Sequence, residues 1–125
     1  MTIQLPPAPP RPTPAPPRPY HFPRFTRHQL ANGLRVVVAP VRKLPVVSVL
    51  ALVDAGAMTD APGDEGLAVL TAGALTEGTL RRAGARLALD AESLGASLDA
   101  SADWDSAVAR LTVLTPRLEP AFALF

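Results

Sequence analysis

The sequence GLAVLTAGALTEGT, from Gly66 to Thr79, decides the fold assignment. Alanine, leucine, valine and glycine make up almost all of its first turns, and acidic residues in the preceding loop favour a helix start there. We predict a helix from about Glu65 to Leu75 that is apolar nearly all round and is therefore buried in the core. Gly73 inside this helix costs on the order of 1 kcal/mol relative to alanine, so we expect it to mark a close approach of another backbone segment.

Upstream of this stretch the pattern is typical of strands. The segments Arg27–Leu30 and Leu34–Ala39 flank an Asn32-Gly33 pair, which predicts a hairpin because both turn positions tolerate positive φ. Residues 46–53 are nearly continuously apolar, which predicts a strand buried on both faces.

Downstream, a second helix is predicted from about Ala83 to Leu94, ended by Gly95 at the position of a C-cap glycine. Its predicted apolar side consists of Leu87, Leu89, Ala91 and Leu94.

Two further strands and a last helix complete the pattern. Ala96–Ala102 and Ala107–Leu114 alternate as the strands of a hairpin turned near Trp104. Thr115 then fits an N-cap with Pro116 at the first helical position. The whole pattern predicts an α+β fold, a two-layer sandwich with a mostly antiparallel sheet and core helices.

Four landmarks, in order and at consistent spacing, carry a family resemblance. They are LANGLRVVV at 30–38, VVSV at 46–49 with DAGA at 54–57, the Gly66–Thr79 stretch with its closing Glu-Gly-Thr, and LGASLDAS at 94–101. Together they resemble the N-terminal domain of the peptidase M16 family, the insulinase and mitochondrial processing peptidase group. The resemblance runs from about Phe25 to the end of the chain. Since the family domain is longer, we expect residues 25–125 to be a partial copy, truncated within its last helix.

The resemblance implies where a zinc motif would lie. In active members an inverted motif, His-x-x-Glu-His, supplies two zinc ligands and a general base from one helix. The two histidine positions are Val69 and Gly73 here, and the glutamate position is Ala72. None of these residues can bind a metal or take a proton from water, and the position of the third ligand would lie beyond Phe125. We therefore expect no catalytic residue and no cofactor in this chain, with zinc present only in a catalytic partner or a later repeat.

The resemblance also implies a peptide-binding edge. In the family a substrate strand adds to the sheet edge beside the metal, and the matching segment here is Ser97, Leu98, Asp99, Ala100 and Ser101. Backbone pairing needs no particular side chain, so peptide binding is compatible with this sequence. The alternative is a short protected edge strand without a ligand. Trp104 is either an interface anchor or a turn residue folded back over the sheet.

Composition restricts the class of protein. The net charge is +1, and no cysteine is available for a disulfide or a thiolate metal site. No apolar run reaches the roughly 18 residues that cross a bilayer, and the N-terminus lacks the apolar core of a signal peptide. These features predict a chain without nucleic-acid specificity or a membrane span, cytoplasmic by default.

Residues 1–24 form a proline-rich segment in which we expect an extended, disordered arm, because proline fixes φ and removes a backbone donor. No acidic residue precedes Asp54, whereas seven basic residues do. The arm is either a spacer or a ligand for an aromatic-lined groove that binds Pro-x-x-Pro sequences. His21 and His28, the only histidines, are expected to be exposed or lightly packed.

The functional hypothesis is therefore a zinc-free, non-catalytic subunit that pairs with a zinc-bearing M16 metallopeptidase and helps to bind peptide substrates. One alternative is the N-terminal part of a longer M16 metallopeptidase whose zinc site lies in a later repeat. The other is a degenerate fragment without function.

Overall fold

The computed structural model describes Arg11 and residues 13–125, which divide into two compact units at Val41. Part of the predicted arm, residues 1–10 and 12, lies outside the described residues. Residues 13–25 contain no helix or strand and are exposed.

The first unit contains the predicted hairpin. Strand β1 (Thr26–Gln29) pairs antiparallel with β2 (Arg35–Val38). Gly33 adopts a φ of 88°, in the left-handed region that the turn requires, and the Asn32 side chain accepts a hydrogen bond from the backbone N–H of Leu34 at 3.1 Å. The Asn-Gly hairpin prediction is confirmed. His28 on β1 is exposed, with its Nε2 3.2 Å from the Thr26 hydroxyl.

The second unit holds the remaining elements. In chain order they are β3 (Val46–Val53), a short 3-10 turn (Ala57–Thr59), α1 (Leu67–Ala74), β4 (Gly78–Thr79), β5 (Arg82–Ala83), α2 (Gly84–Ser93), β6 (Ser97–Ala102), β7 (Ala107–Leu114), a 3-10 turn (Thr115–Arg117) and α3 (Leu118–Phe122).

The three long strands form an antiparallel sheet in the order β3-β7-β6. Alternate residues of β7 point to a face on which the helices pack: Leu111 and Val113 are buried there together with Ala121 of α3. Burying the side chains of Leu111 and Val113 contributes about 1.5–3 kcal/mol for each, and the smaller Ala121 contributes less. The prediction of an α+β fold with core helices layered on an antiparallel sheet is confirmed.

The prediction that β3 is buried on both faces is wrong. Val47 and Val49 are half-buried on the helix-packed face, whereas Leu50 and Leu52 on the opposite face are 57% and 67% exposed. β3 lies at an edge of its sheet, and the helices of this unit cover only one face. A continuous apolar run therefore does not distinguish a doubly buried strand from an edge strand with one bare face.

The burial predicted for the first helix is also wrong. In α1 only Ala72 is buried, and Val69 and Leu70 are 53% and 72% exposed. The helix contacts β6, β7 and the 3-10 turn Ala57–Thr59, and the rest of its surface is mostly apolar but exposed. Gly73 was expected to mark a close backbone approach, yet a Cβ atom there would meet nothing within 4 Å.

The second helix agrees with its prediction except at one residue. Leu87 and Ala91 are buried, but Leu89 is 60% exposed because it lies on the solvent side of α2. Gly95, at a φ of 62°, ends the helix as predicted. The backbone N–H of Ala96 reaches the carbonyl of Ala91, and that of Gly95 reaches Glu92, both at 2.9 Å, which is a Schellman motif.

Two local predictions need correction. Thr115 does not cap an α-helix: it begins a 3-10 turn that contains Pro116, and α3 starts only at Leu118. The small β4–β5 hairpin between the first two helices was missed, since two-residue strands leave no periodicity to detect.

Candidate functional site

The start of α1 is held by one carboxylate. Asp60 accepts hydrogen bonds from the backbone N–H groups of Gly66 at 2.8 Å and Ala68 at 3.0 Å. These are among the donors that a helix N-terminus leaves without a partner inside the helix. Gly66 itself has a φ of 98°, which lets the chain turn sharply into the helix. Acidic residues were expected in this loop, but the sequence did not single out Asp60 as the residue that binds the helix.

The loop before α1 also holds the Glu65 carboxylate in its charged form. Hydrogen bonds from its own backbone N–H and from that of Gly63 lower the pKa of Glu65 below its usual value. A lowered folded-state pKa stabilises the fold at neutral pH, and that contribution is lost as the pH falls through the lowered value.

The three positions of the implied zinc motif lie on α1. Val69 and Gly73 are one turn apart on one side of the helix, with Val69 about half exposed and the space beside Gly73 open. Ala72 is only 2% exposed and faces the packed side. Hydrogen and methyl groups occupy the places where imidazole and carboxylate would be needed, so the side chains at these three positions have no atom that can bind a metal or act as a base. Within residue 11 and residues 13–125, no three His, Cys, Asp or Glu side chains are grouped as a metal site.

Strand β6, the predicted peptide-binding segment, lies at the edge of its sheet opposite to β3. Ser97, Asp99 and Ser101 are exposed, whereas Leu98 and Ala100 are half-buried towards the helices. β6 pairs with β7 along one side, so its other side offers main-chain groups in the direction where a further strand would pair.

A charged side chain supports the solvent face of β6. The guanidinium of Arg110 on β7 lies 3.4 Å from the Asp99 carboxylate and 3.3 Å from the Ser101 hydroxyl. This ion pair is exposed, so its contribution to stability is small, but it ties the two strands across their outer face.

A shallow groove of about 260 Å³ adjoins the first residues of β6. It is lined mainly by apolar groups of α2 and β6, with hydroxyls and one carboxylate at its rim: Thr76, Leu87, Ala88, Ala91, Glu92, Ala96, Ser97 and Leu98. The apolar side of α2 was predictable from its spacing, but the fact that this side faces the β6 edge was not. The groove has room for one or two side chains of an extended peptide.

Trp104 lies in the β6–β7 turn and is 66% exposed, so it is not folded back over the sheet.

As for a membrane, none of the helices in the described part of the chain is both long and apolar enough to span one.

A family model described as Insulinase (Peptidase family M16) matches residues 35–125. No curated protein matches the chain.

Solved structures share the fold. The peptidase M16 inactive domain from Pseudomonas fluorescens is similar at 31% identity with a TM-score of 0.76, over 81% of this chain and 25% of that one. A protease from Helicobacter pylori is similar at 25% identity with a TM-score of 0.75, over 83% of this chain and 25% of that one. The periplasmic protease PqqL from Escherichia coli, at 18% identity and a TM-score of 0.72, matches 80% of this chain and 11% of its own, and supports the fold alone. The chain therefore spans about a quarter or less of each of these three structures.

Proposed function

The chain belongs to the insulinase family, peptidase family M16, and on that premise we propose that it is part of a zinc-free, non-catalytic subunit. This subunit pairs with a zinc-bearing M16 metallopeptidase and helps to bind its peptide substrates. The observation that carries the proposal is the state of α1, where Val69, Ala72 and Gly73 replace both histidines and the glutamate of the zinc motif.

Two features support the binding part of the proposal. The edge of β6 is available for main-chain pairing with a peptide strand, and the groove beside Leu98 can receive a side chain of that strand. Neither feature needs a metal, so a subunit without zinc retains them.

Similarity to the Pseudomonas fluorescens domain, which is described as inactive, supports the non-catalytic part. In a subunit without its own zinc, peptide cleavage has to come from a partner that carries His-x-x-Glu-His. The subunit then contributes binding surface rather than chemistry.

A second candidate follows from the coverage of the matched structures. Because the chain corresponds to only 25% of two of them, it is compatible with the first repeat of a longer metallopeptidase whose zinc site lies in a later repeat. The two candidates differ in whether one polypeptide is sufficient for cleavage.

The test uses the intact parent protein, purified alone and then mixed with a zinc-bearing relative from the same cell. We expect the protein alone to contain no stoichiometric zinc and to leave a quenched fluorescent peptide intact. The mixture should cleave the peptide faster than the relative alone, and a chelator should abolish that cleavage. Chelator-sensitive cleavage by the purified parent alone would exclude the non-catalytic subunit and support the second candidate.

A further inference from the structure

An exposed tryptophan occupies the tip of the β6–β7 hairpin. Trp104 has 66% of its surface accessible, and it is the only tryptophan of the chain. Tryptophan is enriched among the residues that anchor protein interfaces, because its large ring system can bury much apolar surface.

The turn that carries Trp104 is fixed by several hydrogen bonds. The N–H of Asp103 donates to the Ser106 carbonyl at 2.8 Å, and the N–H of Trp104 donates to the Asp103 carboxylate at 2.7 Å. The carbonyls of Asp103 and Trp104 accept the N–H groups of Ala57 and Met58, both at 2.9 Å. The backbone of the Trp104 turn is therefore held in one conformation before a partner binds, and this preorganisation lowers the entropic cost of binding.

Gly56 brings the neighbouring segment close enough to form these bonds. A Cβ atom at this position would lie 2.3 Å from both the Trp104 carbonyl oxygen and the Ser106 nitrogen. Only a glycine permits this approach, so the sequence around Gly56 and the exposed Trp104 turn form one structural unit.

The turn of Trp104 and the chain segments next to it carry exposed apolar and acidic side chains. Met58, whose N–H binds the Trp104 carbonyl, is 57% exposed, and Val53 at the end of the adjacent strand is 54% exposed. Asp54, Asp103 and Asp105 are also exposed, and none of them forms an ion pair with a described residue. We call Trp104, Met58 and Val53, with these three aspartates, the Trp104 patch.

We infer that the Trp104 patch docks a partner protein through a segment in which arginine lies beside an apolar residue. A guanidinium over the indole face is attracted by the ring and by the flanking carboxylates, while the apolar neighbour covers Met58 and Val53. The carboxylates decide the class of partner: they repel phosphate, so they oppose nucleic acid and anionic membranes. This patch involves neither the α1 motif positions nor the β6 edge, and the inference is independent of the proposed function.

The single tryptophan makes the docking directly measurable. The probe is a blocked peptide that alternates leucine and arginine, and the control is the same peptide with glutamate in place of arginine. We expect the arginine peptide to change the fluorescence of Trp104 saturably at low salt, with affinity falling as salt is raised, and the glutamate peptide to have no effect.

Variants connect the binding to the patch. Binding of a fluorescein-labelled arginine peptide is measured by anisotropy. Asp105→Asn and Asp103→Asn should each weaken this binding several-fold. The asparagine at position 103 retains a side-chain oxygen that can accept the hydrogen bond from the Trp104 N–H. Trp104→Ala should abolish saturable binding, and Asp64→Asn, an exposed aspartate in the loop before α1, is the matched control that should leave it unchanged. Circular dichroism checks that each variant is folded.

Three results would overturn the inference: no saturable binding of the arginine peptide, an equal response to the glutamate peptide, or unchanged binding by Trp104→Ala. Binding of the protein to phosphatidylglycerol vesicles through Trp104, shown by a blue shift of its emission, would replace the protein partner by a membrane.

Discussion

Two of the implied zinc-motif positions, Val69 and Ala72, lie three residues apart on α1 and differ in burial. Val69 is half exposed, whereas Ala72 is 2% exposed against the packed side of the helix. We expect Val69→His to change the free energy of unfolding by no more than about 0.5 kcal/mol, as is usual for exposed positions. Ala72→Glu should destabilise the protein by on the order of 2 kcal/mol or more, because it buries a carboxylate without a partner.

Urea unfolding of both variants in the intact protein measures this difference. If both variants changed the free energy of unfolding equally, position 72 would be accessible to water, and the space beside α1 would be a polar pocket like that of an active enzyme. Neither variant should gain peptidase activity.

Asp60 is the second residue whose role is local and testable. Because its carboxylate accepts two backbone N–H groups of α1, Asp60→Ala should cost about 0.5–2 kcal/mol, the range found for helix N-cap residues. Asp64→Ala is the matched control from the same loop, since the hydrogen bond of Asp64 to Ala61 uses its backbone. Thermal unfolding followed by circular dichroism compares them; a larger loss in Asp64→Ala than in Asp60→Ala would contradict the assignment.

At the scale of elements, two glycines with similar sequence surroundings should respond in opposite ways. Gly73→Ala adds a methyl group in open space inside a helix and should stabilise the protein by up to about 1 kcal/mol. Gly56→Ala places a methyl group onto the backbone of the β6–β7 turn and should destabilise it by several kcal/mol, because backbone cannot move aside cheaply. Denaturation midpoints of the two variants decide this, and a destabilised Gly73→Ala would reveal a partner segment packed on α1.

The exposed edge of β6 leads to a prediction about peptide substrates. If a substrate pairs through its main chain, only every second N–H group of the substrate donates a hydrogen bond to β6. N-methylation of those residues should abolish binding, whereas N-methylation of the residues between them should not. Ser101→Ala in the intact protein should have a much smaller effect, since side chains on the outer face do not form the pairing. Competition between methylated and unmethylated peptides in a binding assay measures this. Equal affinities of the two alternately methylated peptides would exclude strand addition.

The sequence predicted elements with strong local signals and failed where tertiary contacts decide. The Asn32-Gly33 hairpin, the Gly95 helix end and the β6–β7 hairpin each have a turn residue or an alternation that acts locally. Burial of β3 and α1 was predicted wrongly because an apolar run shows that surface is available to pack, but not which side of it is covered.

The candidate site was predictable to the same extent. The order of motifs along the chain predicts an edge strand at Ser97–Ser101, which the sheet order agrees with. The binding of a peptide there, and the assignment of Val69, Ala72 and Gly73 to the zinc-motif positions, stay predictions. The Asp60 contacts, the groove beside Leu98 and the exposure of Trp104 depend on distances between segments that are far apart in sequence.

At the scale of the whole molecule, much apolar surface remains uncovered. Large apolar side chains are exposed on α1, on the outer face of β3 and on α3, among them Leu70, Leu52 and Phe122. Exposed apolar surface of this extent is usually covered by further protein. A subunit that functions only in an assembly is consistent with such a surface, and we expect hydrogen exchange in α1 and β3 to slow when the assembly forms.

The most direct test of the non-catalytic subunit is the composition of its native complex. The intact parent protein is captured from a native lysate, and the proteins that co-purify are identified and quantified by mass spectrometry. We predict stoichiometric recovery of an M16 relative that carries His-x-x-Glu-His, with chelator-sensitive peptidase activity in the eluate. Recovery of the parent protein alone, with that activity present, would contradict the account and assign catalysis to the parent polypeptide itself.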